Sequence, residues 1–129
     1  MRCLPIDDLH PTQLYLSSEK LAAVVDWFDF EEPNYGTLPA FRHDGDWYLA
    51  DGHTRAFVSY LAGVEEFRVE RDEEIREEYD FDLYRTCIAW CADAGVETVP
   101  DLRGRIVNPD TYEERWLDRC RRTADESES

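Results

Sequence analysis

The chain has 129 residues, enough for one domain with a real core, and its 43% hydrophobic and 13% aromatic content excludes a disordered polymer. Thirty Asp and Glu against 14 Lys and Arg leave a formal net charge of −16, which argues against non-specific binding to nucleic acid. No run is long and apolar enough to span a bilayer, and "MRCLPIDDLH" lacks the apolar stretch of a signal peptide, so a soluble cytoplasmic protein is expected.

The acids are scattered, and Lys20 is the chain's sole lysine. A charge mimic of nucleic acid would gather its carboxylates on one face. Scattered acids instead suit a salt-rich, halophilic cytoplasm, where the Debye length shrinks to roughly 3 Å near 1 M salt.

In chain order, "RCLPI" predicts a short edge strand, since Pro5 removes a ladder donor. "DDLHPTQLYL" reads as a loop. Ser17 or Ser18 then caps a helix through "SEKLAAVVDWF", with Leu21, Val24, Val25 and Phe28 at helical spacing. In "LPAFRHDGDWYLA" two strand-like runs flank Asp44-Gly45, which predicts a hairpin pairing Phe41 with Tyr48 and Arg42 with Trp47. A helix from His53 to Leu61 follows, stopped by Gly63, and "EEFRVERD" alternates as a half-buried strand.

After the acidic run "RDEEIREEYD" the pattern turns helical. One helix is expected over Phe81–Ala94, ended by Gly95. A second begins at Pro109 with Asn108 as cap, and "TADESES" is expected to be disordered. The class is α+β: a small mixed sheet with a β-hairpin, plus a C-terminal helical extension. We divide it into a core over 1–72, a helical extension over 73–122 that packs on the core, and an acidic tail over 123–129.

Cys87 and Cys91 lie one helical turn apart beside Ile88 and Trp90, which predicts core packing rather than a metal site. Trp90, Tyr112 and Trp116 are expected to join the C-terminal helices to the core. Arg115, Arg119 and Arg122 recur along the last helix with Glu113, Glu114 and Asp118 interleaved, a pattern of surface ion pairing. His10 and His43 are expected to be solvated.

"YLADGHTRAF" carries the densest chemistry. A glycine before a helix lets a ligand approach the backbone, and the helix's first turn offers unpaired N–H groups at the positive end of its dipole. Thr54 adds a hydroxyl and Arg55 a fixed cationic fork. Gly52, His53, Thr54 and Arg55 together predict an anion site, phosphate being the usual occupant. Asp51 has three readings: ribose contact, metal-bridged phosphate contact, or plain helix cap. His53 has two, a general acid/base or a residue serving a phosphate or facing water.

"LADGHTRAFVSYLAG" followed by "VEEFRVERD" resembles the ParB/sulfiredoxin superfamily, whose strand ends in a Gly-x-x-Arg corner, often Asp-Gly-His-His-Arg, before a helix. The opening, "CLPIDDLHPTQLYLSSEKLAAVV", is similar to the first strand, proline loop and first helix of that family; the resemblance covers roughly residues 2–72. It implies a nucleotide-binding domain taking CTP, ATP or ADP, with Mg²⁺, and with phosphates at Gly52 to Arg55. It also implies Thr12 and Gln13 reaching in from across the pocket, and an NTPase or phosphotransferase activity that draws on His53 and Asp51.

The departures narrow this. No cysteine follows Gly52, which excludes sulfiredoxin chemistry, and no carboxylate stands between Leu9 and Ser17 where the family's serine kinase keeps a glutamate. No acid cluster supports a nuclease. The competing expectation is a non-catalytic adaptor that uses the C-terminal helices for a protein partner; a DNA-associated role is the weakest.

Overall fold

The computed structural model describes residues 2–33, 36–71 and 81–128. The acidic run after Arg71, and with it the 72/73 boundary, lies outside them. Within them the fold is α+β. A five-stranded mixed sheet contains β1 (Arg2–Pro5), β2 (Leu9–His10), β4 (Leu38–His43), β5 (Asp46–Leu49) and β6 (Glu66–Arg71), in the order β1-β6-β4-β5-β2. β1 is an edge strand, as its proline requires, and runs antiparallel to β6. β4 runs parallel to β6, and β2 runs parallel to β5.

The Asp44-Gly45 hairpin forms in the expected register, Phe41 opposite Tyr48 and Arg42 opposite Trp47. Both turn residues have positive φ, 52° and 86°, the geometry that reserves such turns for Asp-Gly and Asn-Gly. The segment expected to be a loop is more ordered. It contains a 3₁₀ turn at Ile6–Asp8, then β2, then β3 (Leu16–Ser17), which pairs in parallel with β7 (Ile106–Val107) as a second small sheet. Two-residue strands have no periodicity to announce them; a partner far along the chain creates them.

Helix α1 (Ser18–Trp27) is capped by Ser17, whose side chain accepts from the Lys20 N–H. Helix α2 (His53–Leu61) packs against α1 and against the 3₁₀ turn Val99–Gly104. Helix α3 is Phe81–Ala94. The C-terminal helix starts at Asn108-Pro109 as expected, passes through a π-helical stretch at Glu113–Leu117 and continues as Asp118–Glu128. It therefore runs through most of the 123–129 stretch that was expected to be disordered, where Ala and Glu are strong helix formers.

The core lies between the sheet and α2. Leu9, Leu38, Leu49, Phe67 and Val69 from the strands meet Ala56, Phe57 and Val58. Tyr112, Trp116, Cys87 and Cys91 continue it under the C-terminal helices, with Trp116 edge-on to Trp90 at 5.9 Å between ring centroids. No helix is long and apolar enough to cross a membrane among the described residues.

Candidate functional site

β5 carries the chain to Asp51 and Gly52, and α2 begins at His53. Gly52 holds φ at +79°, a left-handed conformation that a side chain resists. A Cβ there would stand 2.8 Å from Nη2 of Arg55, because the guanidinium folds back over the glycine. The backbone is what requires glycine, since the Arg55 guanidinium is the far end of a flexible side chain and can shift.

No side chain caps α2 among the described residues. Asp51 Oδ1 accepts the N–H of Gly52 at 2.8 Å, so its bond precedes the helix rather than capping it. The positive end of the helix dipole is left to whatever occupies the space in front of it. That space is a cleft of about 320 Å³, with walls from Gln13, Lys20, Val24, Trp27, Tyr112 and the whole Asp51–Arg55 corner. Asp51 is the single carboxylate on its lining among the described residues.

Six of the seven expected residues line this cleft, Gln13 and the run Asp51, Gly52, His53, Thr54 and Arg55, and Thr12 does not. Gln13 reaches it, but both its amide protons are already used: Nε2 donates to the Tyr15 carbonyl at 2.7 Å and to the Tyr112 hydroxyl at 2.9 Å. It braces the wall. Thr12 is buried behind the cleft, its Oγ1 donating to the Leu49 carbonyl at 2.7 Å.

His53 is 4% exposed, and the Thr12 N–H donates to its Nε2 at 2.9 Å. An acceptor nitrogen is unprotonated, so the ring is neutral with its proton on Nδ1. Burial pushes its pKa down to about 4, with the Asp51 charge pulling weakly the other way. The imidazole ties the loop after β2 to the start of α2. Its place on the buried face was readable: His53, Ala56, Phe57 and Tyr60 follow the i, i+3, i+4, i+7 rule.

Two residues in the cleft escaped the sequence reading. Lys20, the sole lysine, lies with its ammonium 5.2 Å from the centre of the Tyr112 ring. Trp27 lines the cleft yet stays 54% exposed. Lys20's uniqueness in the first turn of α1 was a signal; its meaning depends on α1 packing beside α2, which spacing does not reveal.

Elsewhere, His10 is held rather than merely solvated: its Nδ1–H donates to the Glu97 carbonyl at 2.6 Å and its ring packs on Tyr48. Of the last helix's arginines, Arg121 shows the ion pairing expected of that helix, although it was not one of the three named for it. Arg119 lies 3.9 Å over the Trp90 ring, and among the described residues Arg121 pairs with Asp118 at 3.0 Å and Glu113 at 3.6 Å. Compared with known proteins, the chain matches no protein-family model and no curated protein.

Proposed function

We propose that this chain binds a nucleoside di- or triphosphate, with Mg²⁺, in the cleft before α2, as the resemblance of its corner to the ParB/sulfiredoxin superfamily implies. The observation that carries the reading is the gathering of Lys20 with Thr54, Arg55 and an uncapped helix start around one cleft, in a chain of net charge −16. Positive groups are scarce here, and three sources of positive potential converge where phosphates dock. Trp27 supports a nucleotide over a bare anion, since its exposed ring offers an apolar face to a base.

Asp51 is the residue suited to hold Mg²⁺ or a ribose hydroxyl. His53 serves as the strut of the site and not as its acid or base, because the Nε2 lone pair that would take a proton already accepts a hydrogen bond from the Thr12 N–H. Any phosphoryl transfer would fall to Asp51 as the base.

Thermal unfolding in high salt with CTP, ATP, ADP or GTP and Mg²⁺ tests this. A bound nucleotide at 100 times its Kd adds about 2.7 kcal/mol. We expect a saturable rise with at least one of them, lost in Arg55→Ala and weakened in Lys20→Ala. A folded sample that responds to none overturns the reading. It would favour instead the non-catalytic adaptor that engages a protein partner through the C-terminal helices.

A further inference from the structure

We propose that Cys87 and Cys120 form a redox-active thiol pair, with Cys120 attacking and Cys87 resolving, that low-molecular-weight disulfides convert into a covalent bond between α3 and the C-terminal helix. The pair is independent of what occupies the cleft before α2. Both cysteines line a second cavity, of about 230 Å³, with Leu83, Tyr84 and Trp116. All four cysteines are free thiols, and Cys87 and Cys120 are carried by helices that contact each other. Two thiols on the lining of one cavity, on helices in contact, have the proximity from which a disulfide of about 2.05 Å S–S length starts.

Their surroundings assign different roles. Cys87 is buried and Cys120 only half-buried, so Cys120 is the sulfur a small molecule reaches. The S–H of Cys87 donated to Cys120 holds the Cys120 thiol below its ordinary pKa; burial opposes this and the Arg119 guanidinium adds to it. That guanidinium is held over the Trp90 ring. Cys87 is shifted upward by the same hydrogen bond and by burial. Cys91 is pushed up to about 12, chiefly by burial, and is the inert thiol of the group.

The chemistry balances with a disulfide RSSR as the oxidant. Cys120 loses its proton, and its sulfur attacks one sulfur of RSSR; a mixed disulfide forms, the S–S bond breaks and RS⁻ leaves to take up that proton. Cys87 then gives up its proton and attacks the Cys120 sulfur, expelling the second RS⁻, which is protonated in turn. Two protein thiols lose two electrons and RSSR becomes two RSH. The new bond clamps the wall of a cavity that also touches Thr12, Gln13 and His53.

The experiment uses the reduced full chain incubated with oxidised glutathione. Free thiols are counted after denaturation, and unreduced digests are sequenced by fragmentation to separate Cys87 from Cys91. We expect two of the four thiols to disappear and return with dithiothreitol, a Cys87–Cys120 link, and a higher melting midpoint for the oxidised form. Cys87→Ser should stop at a glutathione adduct on Cys120. Retention of all four thiols, a link through Cys91, or loss confined to Cys3 overturns the proposal. The link map of the unsubstituted chain decides the matter even if a variant fails to fold.

Discussion

The ring of His53 answers to two demands at once: it sits with the apolar face of α2, and it must accept the Thr12 N–H. Only the neutral imidazole does both. In the native state its pKa is lowered to about 4, whereas an unfolded chain titrates it near 6.5. The unfolded state therefore binds more protons between those values. His53's contribution is whole above pH 6.5 and declines as the pH falls toward about 4. A gap of this size corresponds to something on the order of 3 kcal/mol. Urea midpoints followed from pH 7 to pH 4.5 at constant salt should fall for the native chain, and His53→Gln should flatten part of that slope while lowering stability at pH 7. Equal slopes in the two proteins would mean that His53 is charged or unburied in the native state. Thr12 was named for a ligand; its amide turns out to serve the histidine, because a turn of buried loop must place its N–H somewhere.

Among elements, legibility follows how local the deciding physics is. The hairpin was read to the residue because a two-residue turn with positive φ at Asp44 and Gly45 admits few sequences and fixes the register of both strands. α2, α3 and the start of the C-terminal helix were read for similar reasons: caps, glycine stops and a full period of apolar positions. β2, β3 and β7 were not, being two residues long and dependent on distant partners. The candidate site divides in the same way. Gly52, Thr54 and Arg55 announce themselves by adjacency, whereas Lys20 and Trp27 join them only because α1 lies along α2. Whether the C-terminal helix is one cooperative unit with the sheet turns on Trp116, buried at 6% exposure against Trp90. Trp116→Ala should cost about 3–5 kcal/mol and preserve a single thermal transition. A second transition at lower temperature, with the sheet's near-native signal retained, would show that the helical extension folds apart from the core.

For the molecule as a whole, the imbalance of 30 acids over 14 basic residues is a standing repulsion. Among the described residues, Arg121 meets Asp118 and Glu113 in surface pairs with side chains at least 44% exposed, and such pairs contribute little. Compaction then works against the chain's own field at low salt. Raising KCl from about 0.1 M to about 1 M shortens the Debye length from about 10 Å to about 3 Å, which removes most repulsion between separated surface charges and leaves buried contacts nearly untouched. The melting midpoint should climb steadily over that range. For a domain of this size each kcal/mol is worth about 3–5 °C. NaCl at equal ionic strength should give the same rise, and sucrose, which is excluded from protein surfaces without screening charge, should give no comparable dependence on ionic strength. A midpoint that stays level or drops between 0.1 M and 1 M would mean that the acids are offset within the fold. The same screening bears on the cleft: at low salt the global negative field opposes a polyphosphate that Lys20 and Arg55 attract at short range. The net on-rate of a nucleotide should therefore rise with moderate salt, the reverse of what a basic nucleotide-binding surface shows.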